Sequence, residues 1–269
     1  MTAAPRVSVL MGVHNGGAFL ADAIASIVGQ TYESWELIVV DDGSTDASRG
    51  IAASWSGRDG RVRVIEHPGN RGLAVALNSA FAVSRGALVA RMDADDVSLP
   101  ARLQRQVEFL DAHPAVAVVG TGADFVDTGG NVLGSRHLFE EHADIAANIY
   151  RTSPFIHPSV MMRRDFLEAL GGYDGRLHRA EDADLWLRGY RQFRYHNLPE
   201  PLIRCRIRER GGVDGSTILV GSFVLARSAY RERRVVSRGL YAARFFMSAL
   251  LVKAGWRSRR LPRSELHRP

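Results

Sequence analysis

The run from Ala87 to Asp96 (ALVARMDADD) constrains the fold of this chain most strongly. It is an apolar stretch that suits a β-strand, and it ends abruptly in three carboxylates, Asp93, Asp95 and Asp96. In an open α/β sheet, ligands bind at the carboxyl ends of the strands. Three acids at one strand end repel one another unless a hard cation or several donors hold them together. We therefore expect a divalent metal here, bridging the protein to an anionic substrate such as a diphosphate.

Strand-like and helical patterns alternate over the first hundred residues. Apolar runs typical of buried parallel strands lie at Val7–Val13, Trp35–Val40, Val62–Glu66 and the stretch before Asp93. Helical spacing follows the first three runs, around residues 19–27, 47–55 and 72–84. This alternation predicts a parallel, doubly wound α/β sheet with right-handed crossovers. The strands that end at Asp41-Asp42 and at Asp93-Ala94-Asp95 would deliver acids to the same edge, as a nucleotide site requires.

The second half of the chain is less regular. Proline is tolerated at the start of a helix, so we expect a helix from Pro100 to Ala112. Residues 131–133 could pair back on the strands before them. The other expected strands are Val116–Gly120, Ala123–Val126, Val160–Arg163 and Leu202–Arg208, and the other expected helices are Glu140–Tyr150, Asp165–Leu170 and Glu181–Tyr190.

From Thr217 onward apolar residues are interleaved with many arginines, which predicts a basic helical C-terminal extension. Two interpretations remain open: a helical cap on the core, or a basic amphipathic surface that docks on anionic lipid. We divide the chain into residues 1–112, 113–216 and 217–269, where the last segment is this extension.

Composition favours a globular protein of a reducing compartment. The net charge is +6, the apolar fraction is 46%, and Cys205 is the single cysteine, which excludes an intrachain disulfide. The N-terminus lacks the apolar core of a signal peptide, and no window approaches the roughly 18 apolar residues of a membrane-spanning helix. We expect a cytoplasmic protein, with peripheral contact to the inner face of the cell membrane through the basic C-terminus as a further hypothesis.

Five segments, in this order, resemble the family 2 glycosyltransferases. The first segment is the forty residues 7–46, from VSVLMGVHNGG to VVDDGSTD. The others are NRGLAVALN, RMDADDVSLPARLQRQ, HPSVMMRR and AEDADLWLR. The resemblance covers roughly Pro5 to Arg208. It implies a GT-A fold, in which a Rossmann-like nucleotide-binding half is followed by an acceptor-binding half, and a nucleoside-diphosphate sugar as donor.

On the donor side the resemblance implies a role for several loop residues. The loop from Gly12 to Asn15, which includes His14, is similar to the one that packs on the nucleoside. Asp42 is similar to the acid that accepts a hydrogen bond from the uracil imide, and the alternative is a turn or cap aspartate. Arg71 and Gly72 lie where the family's chain passes the base and phosphates, although Arg71 could equally be a surface arginine.

The same resemblance assigns the D-x-D element Asp93-Ala94-Asp95. Asp93 is similar to the ribose contact and Asp95 to the metal ligand, while Asp96 stays unassigned. Mn²⁺ and Mg²⁺ are both hard enough for carboxylate and phosphate oxygens. A divalent cation of this kind is the expected cofactor, and it would neutralise the departing diphosphate.

On the acceptor side Glu181-Asp182 is similar to the family's acid pair at the start of a helix. An inverting transfer needs a general base for the attacking hydroxyl, and Asp182 is the candidate, with Glu181 orienting it or binding the acceptor. Two acids that only cap the helix are the alternative. His157 could face the acceptor or the diphosphate, or it could be structural. The Gln-x-x-Arg-Trp element of processive synthases is absent, which favours addition of single sugars.

The expected function is therefore metal-dependent, inverting transfer of one sugar, from a UDP- or dTDP-linked donor, to a glycan or lipid-linked acceptor in cell-surface polysaccharide or glycolipid synthesis. The alternatives are a sugar-nucleotide nucleotidyltransferase and a non-catalytic nucleotide-sugar-binding protein. The turn His14-Asn15-Gly16-Gly17 has no basic residue nearby, which disfavours the nucleotidyltransferase. No nucleic-acid motif accompanies the basic tail, so we expect no nucleic-acid partner.

Overall fold

The computed structural model describes residues 4–207. Its first half follows the predicted alternation closely, because each element is set by a clear apolar pattern. The elements are β1 (Val7–Val13), α1 (Leu20–Val28), β2 (Trp35–Asp41), α2 (Ser48–Arg58), β3 (Val62–Glu66), α3 (Leu73–Val83) and β4 (Leu88–Asp93). The predicted D-x-D stretch therefore begins at the last residue of a strand.

The second half contains shorter elements and one 3₁₀ turn, which spans His157–Ser159. The elements are β5 (Val97–Ser98), α4 (Arg102–Ala112), β6 (Val116–Val126), β7 (Val132–Arg136), α5 (His142–Asn148), β8 (Met161–Arg163), α6 (Arg164–Leu170), α7 (Glu181–Gly189) and β9 (Arg194–Arg206). β7 pairs with β6, which confirms that the chain turns back there.

Among the described residues the strands form one mixed sheet, in the order β3-β2-β1-β4-β8-β6-β9-β5, with β7 added beside β6. The pairs β1–β2, β1–β4 and β2–β3 are parallel, as predicted. β8 runs antiparallel to both β4 and β6, so the sheet beyond β4 departs from a purely parallel one. The predicted α/β organisation of the first half is confirmed, and the second half extends the same sheet.

Two strand predictions were wrong. The runs expected at 116–120 and 123–126 form one strand, β6, and β9 begins at Arg194 rather than near Leu202. The strand continues through Gly120, which is a packing residue and not a turn residue: a side chain there would collide with Asn197 and Phe155. The first part of β9 was missed because Pro199 and Pro201 interrupt its pattern, and the β6–β9 register shifts beside them.

Helices cover both faces of the sheet. Val9 and Met11 of β1 pack in a cluster with α1 and α4, whereas Leu10 packs in a second cluster with α3, α6 and α7. This alternation is the period of two expected for a strand buried on both faces. Because both faces are filled, the open end of β1, β2 and β4 is where polar groups can meet.

No helix among residues 4–207 is long and apolar enough to cross a bilayer. The predicted C-terminal extension at 217–269, its contact with anionic membrane, and the last residue of the strand expected to reach Arg208 lie outside the described residues.

Candidate functional site

The register of the sheet brings the predicted donor loops to one edge. Gly12 of β1 pairs with Val40 on one side and with Asp93 on the other, and Val13 pairs with Asp41. The chain segments that follow β1, β2 and β4 therefore leave the sheet at the same level. The turn after β4 also lies close to the loop after β1, because a Cβ built on Gly16 would be 3.7 Å from that of Ala94.

Asp42 organises the loop that precedes α3. Its buried carboxylate accepts hydrogen bonds from the backbone N–H groups of Arg71 (2.9 Å) and Gly72 (2.7 Å). His67 Nδ1 donates to the same carboxylate at 2.7 Å, since an ionised carboxylate can only accept. Gly72 has φ +92°, a backbone conformation that favours glycine. The base contact implied by the resemblance stays a prediction, because every contact of this carboxylate within the described residues is to the protein itself.

We expect Asp42→Asn to loosen the loop at residues 67–72. An amide has one acceptor oxygen, so its NH₂ group would face either the Nδ1–H of His67 or the backbone N–H of Gly72, and that donor loses its acceptor. Leaving such a donor unsatisfied lowers the free energy of unfolding by about 2 kcal/mol. Chemical denaturation measures this, with Asp22→Asn, an exposed acid on α1, as the control. Equal stability of Asp42→Asn and the wild type would contradict the role assigned to Asp42.

The loop after β1 combines exposed and packed positions. His14 and Asn15 are exposed, and His14 Nδ1 donates to the backbone oxygen of Asp42 at 3.0 Å. Asn15, with φ 53°, accepts a hydrogen bond from the Thr45 backbone N–H at 2.9 Å. These contacts tie the first and second loops together. Gly12 instead allows α3 to approach the sheet, since a Cβ there would be 2.9 Å from Leu73 Cδ1.

The D-x-D element forms a tight turn after β4. Asp93 is the last residue of the strand, its side chain is about one-third exposed, and Arg91 Nη1 lies 2.6 Å from its Oδ2. Ala94 and Asp95 form the turn itself, and Asp95 is partly exposed.

Asp96, which the sequence left unassigned, anchors this turn from within. Its Oδ1 accepts from the backbone N–H of Arg206 at 2.8 Å, and Arg206 Nε donates to the backbone oxygen of Asp95 at 3.1 Å. Burial raises the pKa of Asp96 to about 7, and the nearby charge of Asp93 adds to the increase. The last described strand, β9, therefore fixes the D-x-D turn.

The acids of this turn fit a cation only if the substrate supplies most of the ligands. Among the described residues, no group of three or more His, Cys, Asp or Glu side chains converges on a common point. Asp95 offers a hard carboxylate at the exposed end of the turn, and Mg²⁺-type sites commonly combine one or two carboxylates with substrate phosphates. The chemistry of these donors therefore fits a cation shared with a diphosphate.

Glu181 and Asp182 begin α7, as predicted, after Ala180 with φ 58°. Glu181 is buried and Asp182 is partly exposed. Burial raises the pKa of both carboxyls; the neighbouring Asp182 adds to the increase for Glu181, and the backbone N–H of Ala183 opposes it for Asp182. An acid with a raised pKa, at the edge of a cleft, has the properties of a general base.

His157 lies in the 3₁₀ turn and is almost fully buried. Its Nε2 is 2.9 Å from the Tyr173 hydroxyl, and its Nδ1 is 3.9 Å from Glu181 Oε1. Burial, and then the charge of Arg91, lower the pKa of His157, so the ring is neutral at neutral pH. Burial raises the pKa of Tyr173, so its hydroxyl stays protonated beside Nε2. His157 therefore connects the Tyr173 hydroxyl with the carboxylate of Glu181.

The donor-side and acceptor-side acids act on one another electrostatically. The charge of Asp93 raises the pKa of both Glu181 and Asp182, whereas Arg91 lowers both. These three acids are therefore close enough for their charges to interact, and a Cβ built on Gly72 would be 3.2 Å from His178 Nδ1, so the segment before α7 lies beside the Asp42 loop.

Four side chains that support this site were missed from the sequence: Arg91, His67, Tyr173 and Arg206. Arg91 alone had a usable signal, because it is the one charged residue inside the apolar run that precedes Asp93. The other three act through contacts between residues far apart in the chain, and no local pattern marks them.

A family model described as "Glycosyl transferase family 2" matches residues 8–171. The chain belongs to the family 2 glycosyltransferases. The match contains the loops after β1, β2 and β4 and the 3₁₀ turn with His157, so most of the site just described lies inside it. The protein is thus a transferase enzyme, and the family recognised from its motifs is confirmed.

Similar proteins include bacterial glycosyltransferases. The chain is 40% identical over 210 residues to the putative glycosyltransferase EpsE of Bacillus subtilis, which covers 77% of this chain and 74% of EpsE. It is 28% identical over 250 residues to the O-antigen biosynthesis glycosyltransferase WbnJ of Escherichia coli, covering 91% of this chain and 96% of WbnJ.

Solved structures of the same fold include S. aureus TarS 1–349 in complex with UDP-GlcNAc. TarS aligns with a TM-score of 0.68 at 20% identity, over 90% of this chain and 71% of that one. The mannosyltransferase PcManGT from Pyrobaculum calidifontis, in complex with GDP-Man and Mn²⁺, aligns with a TM-score of 0.61 at 20% identity, over 98% and 79%. At these identities the likeness establishes the fold, and the predicted GT-A fold is confirmed.

Proposed function

We propose that this enzyme moves a single sugar from a nucleoside-diphosphate sugar to a glycan or lipid-linked acceptor, with inversion and with a divalent cation. One observation supports the proposal: the Asp42 loop and the D-x-D turn lie at the carboxyl edge of one sheet, and the segment before α7 reaches Gly72, where a Cβ would be 3.2 Å from His178 Nδ1. This closeness supports donor-binding loops and a candidate base that act on one substrate, as a displacement at the sugar requires.

The donor class follows from the loops and from the relatives. Arg71 is exposed beside the loop that Asp42 holds, where a cation can face an anionic ligand. TarS was solved with UDP-GlcNAc and PcManGT with GDP-Man, so this fold accommodates more than one base. We favour a UDP- or dTDP-linked sugar because of the resemblance at Asp42.

Each acid has its own task in the proposed reaction. Asp182, partly exposed at the start of α7, takes the proton from the acceptor hydroxyl as its oxygen attacks the sugar carbon and the nucleoside diphosphate departs. Glu181, held beside His157, keeps Asp182 and the acceptor in place. Asp95 would hold Mn²⁺ or Mg²⁺, which would supply positive charge for the departing diphosphate.

The acceptor is proposed from the relatives' names alone. WbnJ is named for O-antigen biosynthesis, which supports a role of this enzyme in cell-surface polysaccharide or glycolipid synthesis. The absence of a Gln-x-x-Arg-Trp element supports addition of single sugars. Peripheral contact of residues 217–269 with the inner face of the membrane belongs to the same proposal, and truncation before Thr217 followed by vesicle sedimentation tests it.

We expect chelation to stop turnover of the donor. Wild-type enzyme, incubated with UDP-, dTDP- or GDP-linked sugars, should release the nucleoside diphosphate with Mn²⁺ or Mg²⁺, lose the activity in EDTA and regain it when the metal is restored. The loss follows because a diphosphate leaving group depends on a compensating charge. A coupled nucleotide assay measures the release. Equal rates in EDTA and in Mn²⁺ would contradict the metal, and pyrophosphate release from a nucleoside triphosphate would favour a nucleotidyltransferase.

A further inference from the structure

Arg91 is a buried cation beside the acids of the site. It lies two residues before Asp93 on β4, so the two side chains leave the same face of the strand. Only 3% of its side chain is exposed, and its Nη1 is 2.6 Å from Asp93 Oδ2. β4 packs against the 3₁₀ turn that holds His157, and His157 Nδ1 in turn lies 3.9 Å from Glu181. The backbone N–H of Arg91 donates to the oxygen of Val160 at 3.0 Å, so Arg91 lies directly beside the 3₁₀ turn that carries His157.

We propose that Arg91 is a positioning residue, the buried counter-ion beside Asp93 that also keeps Glu181 and Asp182 as carboxylates. Buried as it is, Arg91 acts through these acids rather than by touching substrate. This inference rests on the proposed function, because it assigns Asp182 as the base.

One close ion pair holds the guanidinium of Arg91: Nη1 lies 2.6 Å from Asp93 Oδ2. Its Nε is buried without a hydrogen-bond partner among the described residues. A purely structural buried arginine looks different. Arg102, equally buried on α4, donates to Gln106 Oε1 (3.1 Å) and to the backbone oxygens of Arg91 (2.8 Å) and Val160 (3.2 Å). The fold uses the donors of Arg102 and, within residues 4–207, leaves Nε of Arg91 unused.

The charged groups around Arg91 come from every element packed there. Four acids attract it: Asp93 from β4, Asp96 from the turn, and Glu181 and Asp182 from α7. Arg102 from α4 repels its charge, and burial, followed by the charge of Arg91, lowers the pKa of His157 in the 3₁₀ turn, so that His157 is neutral. Tyr173 and Cys205 stay protonated beside it, because burial raises the pKa of each. Arg91 is therefore a cation whose charge interacts with all four acids.

The sign of the effect on activity follows from this arrangement. Arg91 lowers the pKa of Asp182 and Glu181, against burial, which raises both. A base acts only when it is deprotonated, so removing the cation moves the acidic limb of the activity profile to higher pH.

The test compares Arg91→Met, Arg91→Lys and Arg102→Met in the full chain. For Arg91→Met we expect the acidic limb of kcat to rise by about one pH unit, so that kcat near pH 6 falls about tenfold. Arg91→Lys keeps a positive charge, so its acidic limb should lie close to the pH of the wild-type limb. Carboxyl ¹³C NMR titration of Glu181 and Asp182 reads the same shift without any turnover. We expect the thermal midpoints of Arg91→Met and Arg102→Met both to fall, because the first leaves buried acids without their cation and the second removes buried hydrogen bonds, so the titrations are compared at a temperature where both variants are folded.

Three outcomes decide the matter. The role of Arg91 as counter-ion is supported if the acidic limb of kcat and the carboxyl titrations of Glu181 and Asp182 move to higher pH in Arg91→Met and stay in place in Arg102→Met. Titrations that do not move in a folded Arg91→Met overturn it, even when the wild type transfers sugar. A wild type that turns over no donor removes the proposed function, while the NMR titrations still decide whether Arg91 is the counter-ion of Glu181 and Asp182.

Discussion

Asp182→Asn is expected to lower kcat by about 10³-fold while donor binding is unchanged. The amide has nearly the size of the carboxylate but cannot accept a proton, and a positioned base contributes rate factors of this order. Asp182 is partly exposed at the start of α7, where an acceptor hydroxyl can reach it, and burial raises its pKa. Steady-state transfer to a hydroxyl acceptor measures kcat, and calorimetry with the nucleoside diphosphate measures binding.

Two controls separate this effect from loss of helix structure. Asp165→Asn replaces an exposed acid in the first turn of the neighbouring helix α6, and it should leave transfer unchanged. Asp182→Ala should behave like Asp182→Asn if the carboxylate itself is needed. Transfer by Asp182→Asn at more than about one-tenth of the wild-type rate would exclude Asp182 as the base.

Asp95→Ala should produce the second large loss, in the dependence on metal. Asp95 is the partly exposed acid of the D-x-D turn, and Arg206 and Asp96 hold the backbone of that turn from the other side. The turn should therefore keep its shape when the carboxylate is removed. We expect donor turnover to fall about 10²-fold or more, and the Mn²⁺ concentration for half activity to rise, because the protein's metal ligand is gone.

The control for this variant is Asp144→Ala, an exposed acid in the first turn of α5. It should retain the metal response of the wild type. An unchanged Mn²⁺ response in Asp95→Ala would show that the cation, if used, is not held by this carboxylate, and Asp93 would then be the residue to examine.

The sequence predicted the nucleotide-binding half well because its elements are local. Each strand from β1 to β4 is an apolar run that ends in a polar turn, and each intervening helix has a buried stripe, such as Leu20, Ala23 and Ile24 on α1. The rule that parallel strands present ligands at their carboxyl ends then placed Asp42 and Asp93 at one edge. The register of β1 with β2 and β4 confirms this placement.

The acceptor half was less predictable, because contacts between distant segments override its local signals. Gly120 and Gly122 resemble turn residues, yet β9 and its neighbours pack so closely against β6 that no side chain fits there. The prolines of β9 obscured the pattern of its first part, which pairing with β6 nevertheless keeps in the sheet. The counter-ion Arg91 and the partners of His157 have the same origin: a single sequence shows a buried charge, but only the fold shows which acids surround it.

Isothermal calorimetry of UDP, dTDP and GDP with the wild-type protein, with and without Mn²⁺, tests the central claim most directly. If the Asp42 loop and the D-x-D turn form a nucleoside-diphosphate site, one of the three should bind in Mn²⁺ with a Kd at or below about 100 μM, and its affinity should fall at least tenfold in EDTA. The nucleotide that binds names the donor class. Absence of binding by all three, in the presence of Mn²⁺, would contradict the proposed donor site.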